Sequence, residues 1–232
     1  MDATFVGHPL ADLPKPAISR EAYAAENGLI ASKPWITLMP GSRAKEVRMN
    51  LPEMLQATDL LGDDYEFLIP VAPTISRDLI QDVMDQDRGT AAIHLTKDAL
   101  PALAHSRAGI IASGTATVEA AIMGTPFVMV YCVSPLTYML GKPRVKVPHF
   151  AMVNLIAGKE VVPELVQHNF TAENVVAELR TLIPDGPARS QMIADLAAVK
   201  ATLRGTSTDD LQPADRAAAI IIDLLRASQT PR

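Results

Sequence analysis

The sequence is poor in cysteine, with Cys132 alone among 232 residues. One cysteine cannot form a disulfide within the chain, so nothing indicates an oxidising compartment and a reducing cytoplasm is the default expectation. No base lies near Cys132 in the sequence, which favours a packing role over that of a nucleophile. The five histidines are scattered along the chain without metal-ligand spacing: His8, His94, His105, His149 and His168. We therefore expect neither a metal nor a cofactor.

Long apolar runs are also missing. The longest, AAAIIIDLL at 217–225, is interrupted by Asp223, and no run approaches the ~20 residues that cross a bilayer. The first ten residues, MDATFVGHPL, have neither the cationic start nor the continuous apolar stretch of a secretion signal. The sequence therefore predicts that any membrane contact is made at the membrane surface.

An excess of positive charge is absent as well. Lys and Arg number 21 and Asp and Glu 26, so the formal net charge is −5. General nucleic-acid binding normally needs a basic face, and we do not expect it here. The chain is 48% hydrophobic and 20% charged, which is typical of a globular protein with a substantial core.

Short apolar runs alternate with helical spacing over the first 131 residues. Helical patterns cover 50–61, 76–86, 98–105 and 115–123. The predicted strands are 3–7, 35–39, 66–71, 91–95, 108–113 and 126–131. Continuously apolar strands between amphipathic helices are typical of a parallel sheet covered on both faces. The sequence therefore predicts an α/β fold, a Rossmann-like doubly wound parallel sheet.

The flanking segments have a different pattern. Residues 134–149 predict a short helix followed by an extended connection, and from Thr171, a predicted N-cap, the chain is helical. Residues 7–21 are proline-rich and predict a connector. A lone first strand that is followed by a linker has few partners of its own. We therefore expect residues 1–16 to be the end of a missing N-terminal domain and its linker, 17–183 to form the sheet domain, and 184–232 to be C-terminal helices.

Two predicted strands end in small polar residues. The first ends in Gly41, which permits a tight turn, Ser42, whose N–H is a donor, and Arg43, which can pair with a diphosphate in a forked geometry. A solvated turn with an exposed arginine is the alternative. The second ends in 113–115 (Ser113, Gly114 and Thr115), where a helix begins at once, so free N–H groups point into the same crevice.

Two further polar residues follow these loops. Glu119 lies one helical turn after Thr115, where its carboxylate can accept the hydroxyls of a ribose; the alternative is a solvent-facing charge. Asn154 interrupts an apolar run and is either a turn former or hydrogen-bonded. Neither G-x-G-x-x-G nor a Walker motif is present, so the residues predict a nucleotide or phosphate-bearing ligand rather than a redox dinucleotide.

Four segments, taken together, resemble the C-terminal half of the lipid-A-disaccharide synthase family. They are GHPLAD, LMPGSRAKEV, ASGTATVEAAIMGTPFVMVY and VNLIAGKEVVPELVQ, and their order and spacing match from about residue 3 to residue 183. The resemblance implies the donor-binding half of a GT-B glycosyltransferase of family 19, with residues 17–183 as the UDP-sugar-binding domain.

The resemblance also implies a reaction and its partners. The family transfers diacylglucosamine from UDP-2,3-diacylglucosamine to lipid X in lipid A biosynthesis, forming a β-1,6 linkage with inversion and releasing UDP without a metal or cofactor. Arg43 is implied to bind the diphosphate, and Glu119 and Asn154 to contact UDP. Gly41 and Ser42 belong to the loop of Arg43, and residues 113–115 are implied to line the phosphate crevice.

The same resemblance implies where the chain acts and what it lacks. The catalytic residues, above all the general base, are expected in the missing N-terminal half, so this chain alone is expected to be inactive. The family is cytoplasmic and peripheral to the inner membrane, and a homodimer through the C-terminal helices is expected by analogy. Two alternatives stay open: a non-catalytic UDP or nucleotide-sugar-binding module, and a UDP-GlcNAc 2-epimerase-like GT-B protein.

Overall fold

Six parallel strands form one sheet in the order β3-β2-β1-β4-β5-β6. The structure is a computed structural model and describes residues 3–87, 89–134, 148–204 and 211–229. The strands are β1 Trp35–Met39, β2 Glu66–Pro70, β3 Ile93–Thr96, β4 Ala108–Ala112, β5 Phe127–Tyr131 and β6 Glu164–Val166. The chain first builds outward from β1 to β3 and then returns to place β4 on the other side of β1.

Helices follow the strands and continue after the sheet. They are α1 Arg20–Asn27, α2 Ala44–Leu61, α3 Arg77–Asp87, α4 Ala99–His105, α5 Thr115–Met123, α6 Met152–Ala157, α7 Ala172–Leu182, α8 Pro187–Arg204 and α9 Pro213–Gln229, with 3-10 turns at Pro9–Asp12 and Gln167–Asn169. Local sequence sets several ends. The Ser19 hydroxyl caps α1 and the predicted N-cap Thr171 accepts from Asn174 N, while Gly28 and Gly124 end α1 and α5 in left-handed geometry.

The sheet is buried on both faces, as continuously apolar strands predict. In β4, Ile110 packs into the core under α2, α3 and α7, whereas its neighbour Ile111 packs into the core under α5, α6 and α8. Both side chains are fully buried, and burial of each contributes about 1.5–3 kcal/mol. The predicted fold class, a doubly wound parallel sheet with C-terminal helices, is confirmed.

The predicted strand at 3–7 is wrong. Gly7 has φ 92, outside the extended region, and the neighbouring backbone bonds to helices: His8 N–H donates to Leu203 O at 2.9 Å, and Arg216 Nη1 donates to Val6 O at 3.0 Å. The segment therefore runs against α8 and α9 instead of joining the sheet.

Three elements were not predicted. They are α1 in the proline-rich connector, α6, and the three-residue strand β6. The predicted helix and extended connection at 134–149 falls largely on 135–147, which lie outside the described residues. Within the described ranges, no helix is both long and apolar enough to cross a bilayer.

Candidate functional site

The loops after β1 and β4 lie side by side at the carboxyl edge of the sheet. β1 pairs directly with β4, with Met39 opposite Ile111, so residues 41–43 and 113–115 leave neighbouring strand ends. The chain order reverses between these two strands, and ligands of open α/β sheets bind at such a switch point. The structure thus places both predicted loops at neighbouring strand ends.

The first loop is shaped by Glu46, a residue that the sequence did not single out. Gly41 has φ 124, and a Cβ added there would lie 2.6 Å from both Cβ and Oε2 of Glu46. Ser42 N–H donates to Glu46 Oε2 at 3.0 Å, and Arg43 Nη1 donates to Glu46 Oε1 at 2.7 Å. Arg43 is the N-cap of α2 and its side chain is 79% exposed. The carboxylate therefore fixes the turn while Arg43 remains at the surface.

The second loop presents the start of a helix. Ser113 N–H donates to Val130 O at 2.9 Å, and its hydroxyl donates to Phe150 O at 2.8 Å. Gly114, at φ 148, is the N-cap of α5, and no side chain caps this helix. Thr117 N–H donates to Gly114 O at 3.2 Å. The N–H groups of Thr115 and Ala116 are therefore available to an anion, which the positive end of the helix dipole also favours.

Glu119 lines a cavity of about 610 Å³ next to this helix. Its side chain is half-buried, and burial raises the pKa of its carboxyl group. Glu119 has no hydrogen-bond or ion-pair partner among the described residues. The rest of the lining is mostly apolar and comes from the connector and the start of α4: Leu10, Leu13, Pro14, Lys15, Pro16, Ala17, Asp98, Ala99, Leu100 and Pro101. A carboxylate without a partner in such a cavity can accept ligand hydroxyls.

Asn154 lies in α6 and is fully buried. Its Nδ2 donates to Val162 O at 2.9 Å and to Glu164 Oε1 at 2.8 Å. Its Oδ1 accepts from Val161 N at 2.8 Å and from Val162 N at 3.0 Å. Two donor and two acceptor positions are all that an amide side chain offers. This geometry favours a supporting role over the predicted contact with the nucleotide.

The support passes from Asn154 to the second loop through Glu164. Glu164 Oε1 accepts from Ala151 N at 2.9 Å, and Oε2 accepts from Phe150 N at 2.9 Å. Phe150 O in turn accepts the Ser113 hydroxyl. The buried amide thus helps to place the residue that precedes the N-cap of α5.

Comparison with known proteins gives the family. The family model described as Lipid-A-disaccharide synthetase matches residues 1–210. The chain belongs to the lipid-A-disaccharide synthetase family. A curated lipid-A-disaccharide synthase of Koribacter versatilis is 46% identical over 97% of this chain and 58% of its own length. One of Acidobacterium capsulatum is 46% identical over 88% of this chain and 54% of its own length. The chain thus spans about half the length of these curated relatives.

Solved structures of the same architecture are distant in sequence. A putative UDP-N-acetylglucosamine 2-epimerase from Listeria monocytogenes superposes with a TM-score of 0.54 at 17% identity, over 98% of this chain and 54% of the other. WaaG, a glycosyltransferase involved in lipopolysaccharide biosynthesis, gives 0.50 at 16% identity, over 89% of this chain and 51% of its own. At these identities the likeness shows the fold of this lipid-A-disaccharide synthetase family member, and nothing finer.

Asn50 is a further structural residue of this family member that the sequence analysis did not find. It is fully buried in α2, donates from Nδ2 to Pro40 O at 2.9 Å and accepts from Cys132 N at 3.1 Å. It thereby joins the chain after β1 to the chain after β5. An asparagine on the apolar face of a helix was the available signal.

Burial and then Glu53 raise the pKa of the Cys132 thiol, which disfavours the nucleophilic thiolate.

Proposed function

We propose that this chain is the donor-binding half of a lipid-A-disaccharide synthase, a hexosyltransferase. Its reaction moves diacylglucosamine from UDP-2,3-diacylglucosamine to lipid X and releases UDP, during lipid A biosynthesis. Family membership supports the reaction class. The single observation that carries the donor-binding role is the meeting of the Arg43 loop and the uncapped start of α5 at the β1/β4 switch point.

In this proposal the diphosphate of UDP lies between Arg43 and the first turn of α5. An exposed guanidinium can turn to a diphosphate at little cost, because surface ion pairs such as that with Glu46 are worth only about 0–1 kcal/mol. Negative charge grows on UDP as the glycosidic bond breaks, so N–H donors and a cation there stabilise the transition state more than the ground state. Gly41 and Ser42 set the position of Arg43, and residues 113–115 line the phosphate crevice.

Glu119 and its cavity accommodate the nucleoside in this proposal. The carboxylate accepts the ribose hydroxyls, and the apolar lining from the connector and α4 receives the base. Ribose hydroxyls would give the half-buried carboxylate the hydrogen bonds that it lacks among the described residues. Asn154 supports the crevice from behind.

The general base of an inverting transfer must lie opposite the leaving group. We place it outside these 232 residues, in the half of the family's length that this chain does not span. Residues 1–16 then connect the two halves, 17–183 bind the donor, and 184–232 form C-terminal helices. We further propose action at the cytoplasmic face of the inner membrane, where acylated substrates reside, and a homodimer.

Calorimetry with UDP tests the donor site, and a transfer assay with UDP-2,3-diacylglucosamine and lipid X tests the division of labour. We expect saturable UDP binding without turnover by this chain alone. Arg43→Ala should weaken UDP binding about tenfold, which corresponds to loss of a charge-assisted bond of ~1.5 kcal/mol. Lys45→Ala, which removes a neighbouring exposed charge, should change it less than threefold. Equal effects of the two substitutions would contradict a specific role for Arg43, and turnover by the chain alone would contradict the placement of the base.

A further inference from the structure

A polar cavity opens at the opposite, amino edge of the sheet. It has a volume of about 370 Å³ and lies where β1 and β4 begin, with four cationic residues in its lining: Arg20, Lys33, Arg107 and Arg189. The Lys33 ammonium group donates to the backbone oxygen of Asp63 at 2.7 Å, a bond that leaves its charge unneutralised. The five residues of β1 separate it from the donor crevice by about 16 Å. A chain of net charge −5 thus gathers four positive charges in one place.

The guanidinium groups are held in fixed positions. Arg20 lies over the ring of Trp35, with its Cζ 3.7 Å from the ring centroid, and donates to Ala31 O, Lys33 O and His105 O. Such stacking and multiple bonding keep the cation in place without neutralising it.

Two other arginines are fixed by the ends of α7 and its neighbours. Arg107 donates from Nε to Ile183 O and from Nη2 to Asp185 Oδ1. Arg189 donates from Nη1 to Leu182 O and to Arg107 O. Arg107 Nη1 and Arg189 Nη2 have no hydrogen-bond partner among the described residues. Donors therefore remain for a further acceptor.

The simplest structural role of these cations is to neutralise the negative ends of helices. The charge of the helix ends does not account for four cations. The carboxyl ends of α4 and α7 contribute about −0.5 each, and the carboxylates of Glu21 and Asp185 act on the cluster. The four cations carry four positive charges, from which the two carboxylates subtract two and the helix ends subtract about one. About one positive charge therefore remains.

Burial also affects the ionisation of the cluster. Burial, and next the charge of Arg107, lower the pKa of Arg189, and burial lowers the pKa of Arg20. Both groups stay protonated at neutral pH, so an added anion would offset the repulsion between Arg107 and Arg189 and the cost of burying the cations.

We propose that this cavity is a binding site for a phosphate group, either as a soluble phosphate or phosphomonoester or on a lipid headgroup. The guanidinium fork matches phosphate oxygens, and the volume holds several water molecules, at about 30 Å³ each, that a phosphate would displace. This site is independent of the donor site and does not rest on the proposed function.

Trp35 is the sole tryptophan of the chain and reports directly on Arg20. Its fluorescence is titrated with sodium phosphate against sodium chloride at equal ionic strength, and in a second arm with vesicles of phosphatidylcholine with and without phosphatidic acid. A saturable change with phosphate supports a soluble ligand; a change only with phosphatidic acid supports a lipid headgroup. No saturable change in either arm overturns the proposal.

Variants assign the response to the cavity. Arg189→Gln should weaken the affinity for phosphate about tenfold or more. Lys33→Gln is a milder change that serves if Arg189→Gln fails to fold, and it should weaken the affinity severalfold. Arg48→Gln removes an exposed charge of α2, and Arg43→Ala removes the cation of the donor site. Both should leave the Trp35 response unchanged. If folded Lys33→Gln and Arg189→Gln both respond as the parent does, or if Arg43→Ala abolishes the response, the site is not this cavity.

Discussion

Gly41→Ala tests whether the close approach of Glu46 shapes the loop at 41–43. The backbone conformation at φ 124 costs an alanine about 1–2 kcal/mol, and the added Cβ would meet Glu46 Cβ and Oε2 at 2.6 Å. Glu46 must then move and release Ser42 N–H and Arg43. We take the cost of losing these bonds to be similar to that of losing a helix cap, about 0.5–2 kcal/mol. We expect a total destabilisation of about 1.5–4 kcal/mol, together with weaker UDP binding.

Gly62→Ala is the matched control at the other end of the same helix. Gly62 also has positive φ, 82, but a Cβ there meets nothing within 4 Å. It should show the conformational cost alone, with unchanged UDP affinity. Urea unfolding gives the free energies, and thermal melting should follow at about 2–4 °C per kcal/mol. If the two alanine variants are equal in stability and in affinity for UDP, the contact with Glu46 does not determine the loop.

Three further substitutions probe the site. Burial raises the pKa of the Glu119 carboxyl group in the folded protein, so stability should fall as the pH rises from the unfolded-state pKa through the folded-state pKa. Glu119→Gln should flatten this part of a melting-temperature profile between pH 4 and 8, and it should also weaken UDP binding. An unchanged profile would contradict the assignment. Asn154→Ala should cost about 2–4 kcal/mol in urea unfolding, because buried partners lose their bonds, whereas the exposed Asn174→Ala should cost less than about 1; similar values would show that the buried network contributes little. Glu46→Gln keeps an acceptor for Ser42 N–H but removes a negative charge beside the proposed diphosphate position. Calorimetry should therefore show UDP affinity unchanged or up to about fivefold higher. A large loss of affinity would show that the carboxylate charge itself places the loop.

The sequence predicted the sheet well where strands are short apolar runs buried on both faces. β1 at 35–39 was predicted to the residue, and β4 and β5 to within one residue at one end. The run at 3–7 has the same local pattern, but Gly7 and contacts with α8 and α9, about 200 residues away, decide its conformation. The strand β6 was missed because it has three residues and begins with Glu164, which bonds to the chain before α6.

The candidate site was predictable to the extent that its residues follow strand ends. The loops at 41–43 and 113–115 were predicted because a parallel sheet places all its carboxyl ends at one edge. The role of Asn154 was not, because a single polar residue in an apolar run does not reveal its partners. Its four bonds reach residues seven to ten positions away, and only the folded chain brings them together.

The bonds of Glu46 explain how a loop can be ordered before its ligand arrives. Its Oε2 holds Ser42 N–H and its Oε1 holds Arg43 Nη1, so one carboxylate takes two donors that a diphosphate would otherwise use. The bond to Ser42 is part of the turn, whereas the bond to Arg43 is a surface ion pair with the guanidinium 79% exposed. Since such a pair contributes only about 0–1 kcal/mol, a doubly charged diphosphate can replace the carboxylate at Arg43 while the turn stays intact. In the proposed donor site the arginine is therefore kept near the diphosphate position in the free protein. Binding of UDP would then exchange one anion for another instead of ordering a free side chain, which would save part of the roughly 2 kcal/mol of side-chain entropy.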